Sequence, residues 1–153
     1  MIPSTVERVP LHTAPHVNER IRRRTEQKIV QVVAAGPAAI ERRLKELDRE
    51  WDIERTLEAN AASASLIGLA LGATVDRKFF LFPAAVAGFL LQHAIQGWCP
   101  PVPVFRRLGF RTQTEIEEER YALRAFRGDF RDVPQVRECD EPAEVAVLLE
   151  AEL

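Results

Sequence analysis

The strongest constraint on this chain is a pair of nearly uncharged runs separated by a short charged turn. The first run, residues 57–75, has a single charged residue near its start, and the second run, residues 79–98, has none. Only Asp76, Arg77 and Lys78 lie between them. At a helical rise of about 1.5 Å per residue, each run would span about 30 Å, the thickness of a bilayer's hydrocarbon core. A turn this short would force the two helices to lie antiparallel.

Charge is concentrated in the segments outside these runs. Lys and Arg against Asp and Glu number 11 and 9 in residues 1–56, 7 and 5 in residues 99–131, and 1 and 7 in residues 132–153. The formal net charge of the whole chain is -2, so it lacks the strongly positive field of a typical nucleic-acid binder. We therefore expect the lipid bilayer as a partner of the uncharged runs and expect no nucleic-acid partner.

The two runs also fit, less well, a buried helical hairpin in a soluble bundle. The first run is rich in Ala and Ser and contains Asn60. The second run favours a membrane, because a soluble helix of this length normally has a polar face and here the only polar residues are Gln92, His93 and Gln96. We predict an all-α protein in which a transmembrane helical hairpin is flanked by amphipathic cytoplasmic helices.

Basic residues near the runs predict the orientation of the hairpin. Eight of them flank it and two lie in its turn, which favours a cytoplasmic location for both termini. The start of the chain lacks the apolar segment of a cleavable signal peptide, so we expect the hairpin itself to direct insertion. The flanking basic residues are Arg42, Arg43, Lys45, Arg49, Arg55, Arg106, Arg107 and Arg111.

Small residues recur every four positions in both runs. Ala64, Gly68 and Gly72 share one face of the first helix, and Ala84 and Gly88 repeat the spacing in the second. Small side chains let helix backbones approach closely, which is how helices associate in lipid. This face predicts packing either within the hairpin or against a second copy in a homo-oligomer. In the second case, changing Gly68 and Gly72 to Ile would abolish self-association.

The polar residues of the runs form a second pattern. Antiparallel pairing about residue 77 places Asn60 level with residue 95, and therefore near Gln92, His93 and Gln96. Hydrogen bonds between the two helices are the favoured interpretation of these intramembrane polar residues. Two alternatives give His93 a function, either as a proton or ligand group or as part of a transport path in an oligomer.

The flanks show the period of amphipathic helices. Asn18 is a plausible N-cap for a first helix ending near Gly36, and Pro37 opens a second helix with one apolar stripe. Thr114 opens a predicted capping box for a helix that ends at Gly128. We expect these helices to pack on each other, with the bilayer surface or a protein partner as the alternatives. The predicted segments are a flexible N-terminus (1–17), two amphipathic helices (18–56), the hairpin (57–98), a helical region (99–131) and an acidic tail with a short helix opened by Pro142 (132–153).

No set of residues in the sequence has the spacing of a catalytic, cofactor-binding or metal site. Cys99 follows the second run and is the candidate thiol, reactive or acylated, or else a small residue at the end of a helix. On a continuing helix, Cys99 and His93 would point to different sides. Cys139 lies among acidic residues that disfavour a thiolate.

The apolar hairpin, the sequence Gly97-Trp98-Cys99-Pro100 and the following Leu108-Gly109 resemble the YgaP-like inner-membrane domain of bacteria, over about residues 50–110. Asp52, Glu54 and Arg55 correspond loosely to the charged start of that family. The resemblance implies a two-helix module of the bacterial inner membrane, found alone or after a rhodanese domain, with no established function. We expect no rhodanese domain within these residues, because such a domain takes roughly 100 residues.

Two functions follow as expectations. The first is a non-catalytic membrane module that associates with itself or binds a membrane or cytoplasmic partner. The second is a thiol or sulfur-handling accessory that acts through Cys99, as the resemblance to sulfurtransferase-linked proteins implies.

Overall fold

All regular structure in the described part of the chain is helical. The computed structural model describes Ser4 and residues 6–131, so the predicted acidic tail, with Cys139 and the helix from Pro142, lies outside the described residues. The helices are α1 (Arg8–Leu11), α2 (Pro15–Ala34), α3 (Pro37–Leu47), α4 (Ile53–Thr74), α5 (Leu81–Gln96), α6 (Val102–Leu108) and α7 (Gln113–Arg127), with a 3-10 turn at Arg77–Phe80 before α5. The predicted all-α class is confirmed for this part of the chain.

The N-terminal segment contains helix that the sequence did not predict. Helix α1 and the start of α2 lie within residues 6–17, which were predicted to be flexible. Asn18 is inside α2 and does not cap it; its side-chain amide donates to the carbonyl of Pro10 at 2.9 Å. The boundary predicted at Gly36 and Pro37 is confirmed, because Gly36 has φ +92° and Pro37 opens α3.

The capping box of α7 lies two residues before its predicted position. Thr112 accepts from the backbone N–H of Glu115 at 3.2 Å, and the Glu115 carboxylate accepts from the N–H of Thr112 at 2.8 Å. The prediction of Thr114 as the cap was wrong: Glu117 follows Thr114 at the same spacing, but Thr112 has the extended N-cap conformation and Thr114 lies inside α7. The predicted end at Gly128 is confirmed by its left-handed conformation.

The flanking helices pack on each other. One core joins α2, α3 and α7, and a second joins α1, the base of α4 and α6. We call α1–α3, α6 and α7 the helical domain. The buried residues are Val32, Ala39, Ile40, Leu44, Leu47, Ile116 and Leu123 in the first core, and Val9, Ile53, Leu57, Cys99 and Val102 in the second.

A buried ionic network stabilises the helical domain. Glu119 on α7 has no exposed side-chain surface and receives hydrogen bonds from Arg43 at 2.7 Å and Arg111 at 2.6 Å. Arg111 also pairs with Glu50 at 2.8 Å. Burial raises the pKa of Glu119, but the two guanidinium groups outweigh it and hold that pKa below its usual range.

Arg106 on α6 forms a second buried junction. Its guanidinium makes two hydrogen bonds of 2.7 Å to Glu115 and further bonds to Thr13 and Asn18. A fully buried guanidinium is tolerated only when it is paired and hydrogen-bonded, so this residue requires its partners on the neighbouring segments. It thereby joins α6 to α7 and to the start of α2.

Helices α4 and α5 lie antiparallel, and Gly68 and Gly72 allow them to approach. A Cβ built at Gly68 would lie 2.7 Å from Cδ of Pro83 and 2.9 Å from Cδ1 of Phe82, and one at Gly72 would lie 2.7 Å from Cδ1 of Phe80. Gly68 and Gly72 therefore make their contacts within the pair of helices. The sequence left open whether this face packs within the hairpin or against a second copy, and these contacts are of the first kind.

Ala84 and Gly88 lie on a different face from Gly68 and Gly72. Both are exposed, and a Cβ at Gly88 would meet nothing within 4 Å in the described structure. The small residues of the two runs thus form two surfaces, one inside the pair of helices and one open.

The helical pair extends beyond the helical domain with large apolar side chains uncovered. The segment Arg77–Gln96 is long enough and apolar enough to cross a membrane, and it is the one such segment among the described residues. The exposed side chains are Leu66, Ile67, Leu69, Leu71, Val75, Phe79, Phe80, Leu81, Phe82, Phe89, Leu90, Leu91 and Ile95. We call the part of the pair between residues 58 and 92 the apolar arm.

Gly68→Ala should destabilise the apolar arm by about 1–3 kcal/mol, because the new methyl group would collide with the rigid ring of Pro83. Gly88→Ala is the matched control, since it adds the same methyl group to open space and Ala is the better helix former. Thermal unfolding of the purified full chain in detergent, followed by circular dichroism, measures both. Equal effects of the two substitutions would contradict the observed packing.

Glu119→Gln should destabilise the helical domain by about 3 kcal/mol at pH 7, because Arg43 and Arg111 lose their shared carboxylate. Because the pKa of Glu119 is lower in the folded chain than in the unfolded chain, its ionised carboxylate stabilises the fold at pH values above the ordinary carboxyl pKa. This stabilisation is lost as the pH falls through the pKa of the folded state. The difference from wild type should therefore shrink on acidification. Urea unfolding between neutral and acidic pH measures it, with exposed Glu118→Gln as the neutral control. A loss that is the same at every pH would contradict this role of the charge.

Candidate functional site at the base of the helical pair

The end of α5 brings Cys99 back beside His93. Gly97 adopts the left-handed conformation with φ +78°, and its N–H donates to the carbonyl of His93 at 2.7 Å. The helix therefore stops at Gln96 and the chain turns back. The Cys99 side chain then lies next to the His93 ring, so the expectation that the two residues point to different sides was wrong.

Gly97 is required at this turn for two reasons. Its positive φ is rarely adopted by other residues. A Cβ at this position would also overlap the backbone carbonyl of Arg8 on α1. Helix α1 thus lies directly against the end of α5.

His93 is held by Glu54 in the first turn of α4. A hydrogen bond of 2.7 Å joins Nε2 of His93 and Oε2 of Glu54. An ionised carboxylate can only accept, so Nε2 carries a proton. The other ring nitrogen, Nδ1, is buried and has no hydrogen-bond partner among the described residues.

Arg8 locks this arrangement from α1. Its guanidinium donates to Oε1 of Glu54 and to the carbonyl of Ala94, both at 3.0 Å. Burial raises the pKa of Glu54, but the hydrogen bond from His93 and the charge of Arg8 outweigh burial and keep that pKa below its usual value. Glu54 therefore stays ionised at neutral pH and orients the imidazole.

The imidazole of His93 lies between the Cys99 thiol and the Glu54 carboxylate. Cys99 is 4% exposed and His93 is 2% exposed, so both groups are shielded from bulk water. No hydrogen bond joins Nδ1 to the Cys99 thiol in the described part of the chain. The arrangement therefore places a thiol, an imidazole and a carboxylate together at the base of the helical pair, and the imidazole is held by the carboxylate.

The backbone after Cys99 supplies little to stabilise an oxyanion. Pro100 and Pro101 follow it directly, and proline has no N–H to donate. Backbone donors aimed at the developing negative charge are a large contribution in fast acyl-transfer enzymes. The two residues after Cys99 therefore provide none of these donors.

An apolar crevice of about 250 Å³ lies between α4 and α5 and is bounded in part by Cys99. It is lined by Leu57, Asn60, Ala61, Ala64, Phe82, Val86, Phe89, Leu90, Cys99, Pro100 and Pro101. The amide of Asn60 is the one polar side chain in this lining other than the thiol. The crevice therefore gives the site an apolar compartment on the side facing the apolar arm.

The predicted intramembrane polar residues do not form one cluster. Asn60 lines the crevice, Gln92 is half-buried and Gln96 is exposed. No hydrogen bond in the described part of the chain joins Asn60 to Gln92, His93 or Gln96. Since His93 pairs with Glu54, the register differs from the predicted one by several residues. Within the described residues, no group of three or more His, Cys, Asp or Glu side chains could hold a metal ion.

Arg8 and Glu54 are the site residues that sequence reasoning missed. A glycine directly after an apolar helical run is a signal for its end, and reading Gly97 in this way would have predicted that the chain turns back before Cys99. No comparable local signal identifies Arg8, which is 46 residues from Glu54 along the chain. No family model, no curated protein and no solved structure matches this chain.

Proposed function

We propose that this protein is a membrane-anchored helical module whose apolar arm lies in the bilayer and whose helical domain lies at the cytoplasmic surface. The observation that carries this proposal is the continuous set of uncovered apolar side chains on the arm. Exposed apolar patches of this extent are typical of surfaces that contact a membrane or another protein.

The polar groups at the two ends of the arm support this placement. Asp76, Arg77 and Lys78 lie at the turn, while Arg8 and Glu54 lie at the base. The helical stretch between the two ends is about 25 Å long at about 1.5 Å per residue, close to the hydrocarbon thickness of a bilayer. The resemblance to a bacterial inner-membrane module and the flanking basic residues favour the inner membrane with both termini in the cytoplasm.

The open face of α5 is the proposed contact surface within the membrane. Ala84 and Gly88 are exposed there, whereas Gly68 and Gly72 are occupied by contacts inside the pair. A second copy of this chain, or a membrane partner, can approach this face closely because its side chains are small. In this proposal the role of the module is association and not catalysis.

The pair of substitutions Leu66→Asp and Ile67→Asp should move the protein from the membrane pellet to the supernatant after an alkaline carbonate wash. Each charge placed in the hydrocarbon core costs about 3 kcal/mol, and these side chains are 67% and 60% exposed on the arm. The control pair is Val30→Asp and Phe126→Asp, which are similarly exposed at 68% and 62% on the helical domain. The control should stay in the pellet. Release of the wild type, or equal behaviour of both pairs, would rule out anchoring by the arm.

The arrangement at Cys99 supports a second candidate function, a thiol function. The imidazole beside the thiol is paired with the Glu54 carboxylate, and a charged imidazole next to a cysteine favours the reactive thiolate. Sulfur handling is the version that the resemblance to sulfurtransferase-linked proteins implies. Detection of a persulfide on Cys99 after sulfur loading would distinguish that version from other thiol chemistry.

Alkylation of Cys99 by iodoacetamide should slow about tenfold in His93→Gln at pH 7, because the thiolate loses the neighbouring imidazole whose charged form stabilises it. Mass spectrometry of peptides from the folded full chain measures Cys99 and Cys139 separately. The rate at Cys139 is the internal control, and the urea-unfolded chains should react alike. An unchanged rate at Cys99 in the folded variant would count against a thiol function.

A further inference from the structure

We propose that a cavity in the helical domain, between α2, α3 and the segment after α6, binds an anionic phosphate group. The group is supplied either by a lipid headgroup or by free phosphate. The cavity has a volume of about 240 Å³ and shares no residue with the site at Cys99. The inference therefore goes beyond both proposed functions.

The charged groups that line this cavity do not cancel. Two of its cations, Arg43 and Arg111, pair with its two carboxylates at distances of 2.6 to 2.8 Å. The other two, one turn apart on α2, make no hydrogen bond or ion pair in the described part of the chain. An anion that enters the cavity therefore meets two uncompensated positive charges. The six charged residues are Arg24, Lys28, Arg43, Arg111, Glu50 and Glu119.

The uncompensated cations lie at the solvent edge of the cavity. Arg24 and Lys28 are exposed, whereas the side chain of Arg111 is only 8% exposed. A Cβ built at Gly109 would lie 3.9 Å from Nη1 of Arg24. The guanidinium of Arg24 thus reaches from α2 to the turn after α6, and the positive charge borders the cavity from more than one side.

Thr25 and Arg111 add neutral and charged donors on the inner side of the cavity. Oγ1 of Thr25 accepts from Nη1 of Arg111 at 3.2 Å, and the hydroxyl proton of Thr25 has no acceptor among the described residues. All but one of the N–H groups of Arg111 donate to Glu50, Glu119 and Thr25. The hydroxyl of Thr25 and the remaining N–H on Nη2 are therefore available to a ligand.

A phosphate group fits these donors and this charge. A phosphomonoester carries a charge of about -1.5 to -2 at pH 7 and has three strong acceptor oxygens. Guanidinium groups bind phosphate oxygens through paired N–H donors. The cavity is smaller than the range of about 300–1,000 Å³ that is typical of sites for drug-sized ligands. It can thus hold a phosphate group while the rest of a larger ligand stays outside.

The neighbouring groove along α2 has the opposite charge. It shares Thr25 with the cavity, and Arg22 is the only cation in its lining. An anion bound near Thr25 is therefore repelled from that groove and attracted to the side of Arg24 and Lys28. The carboxylates that only the groove contains are Glu7, Glu19, Glu26, Glu115 and Glu118.

Both sources of phosphate can reach the cavity. The backbone carbonyl of Arg111 accepts from the N–H of Ile53, the first residue of α4, at 2.8 Å, so the cavity lies beside the base of the apolar arm. In the proposed placement of the arm, this base is at the level of the lipid headgroups. The same cavity opens to solvent at Arg24 and Lys28, where free phosphate has access.

Thermal unfolding of the purified full chain in a neutral detergent, followed by circular dichroism, tests the site. The probes are potassium phosphate against potassium chloride at equal ionic strength, and micelles containing phosphatidic acid against micelles containing phosphatidylcholine. A ligand that binds only the folded state raises the Tm. We expect a rise with at least one of the two phosphate compounds. No rise with either compound overturns the inference.

Arg24→Gln combined with Lys28→Gln should weaken this binding about tenfold or more, because two charge-assisted contacts are lost. The matched control is Arg20→Gln combined with Arg42→Gln, which removes the same charge from exposed positions outside the cavity. The control should respond like the wild type. A general effect of phosphate on protein solvation would raise the Tm of both pairs alike, and that result overturns the inference.

A second pair of variants tests the inner donor. Thr25→Val removes the hydroxyl, whereas Thr25→Ser keeps it. The shift in Tm caused by the phosphate compound should shrink in Thr25→Val and be retained in Thr25→Ser. Equal shifts in the two variants overturn the assignment of Thr25 to the site.

The two sources are distinguished by which compound acts. A lipid site responds to phosphatidic acid through Arg24 and Lys28 and responds little to inorganic phosphate, and a site for free phosphate shows the reverse. These measurements need no bilayer. Release of the wild type in alkaline carbonate would therefore contradict the membrane anchor and leave a response to inorganic phosphate standing.

Discussion

Arg111 is the residue on which the arrangement of the described helices most depends. Its guanidinium is buried and pairs with Glu119 on α7 at 2.6 Å and with Glu50 after α3 at 2.8 Å. Its own carbonyl accepts from the N–H of Ile53, the first residue of α4, at 2.8 Å. Because a buried charge must keep its partners, this one residue fixes where α4 leaves the helical domain, and the position of the apolar arm follows from it.

The site at Cys99 depends on the helical domain in the same way. Arg106 joins α6 to Thr13 and Asn18, so the segment that follows α1 is held against the helical domain. Arg8 on α1 then reaches Glu54, and Glu54 orients His93. Four segments of the chain meet at this site: α1, the start of α4, the end of α5 and the residues before α6. Each ion pair joins two of these segments. Its geometry is therefore a result of the tertiary fold and not of a local motif.

Local signals account for the features that could be predicted from the sequence. The uncharged runs predicted the extent of the helical pair, and Gly36, Pro37 and Gly128 predicted helix ends, because backbone preference acts over a few residues. The partner of His93 was not predicted correctly, because antiparallel pairing about residue 77 points to Asn60, whereas the imidazole is bonded to Glu54 in the first turn of α4. That contact also depends on Arg8, which no local pattern places there. The contact between His93 and Cys99 was missed for a local reason, since Gly97 was read as part of the helix.

The short turn at Asp76 has a consequence for how such a chain would enter a membrane. Among the described residues only the segment Arg77–Gln96 is apolar enough to span a bilayer, so α4 gains less from leaving water than α5 does. The turn is too short for α4 to insert into the bilayer separately from α5. In the proposed arrangement the two helices therefore enter as one unit, and the transfer free energy of α5 offsets the cost of carrying Arg77 and Lys78 across. Insertion would then begin only after synthesis has passed the end of α5, with the weaker helix held back until the stronger one is complete.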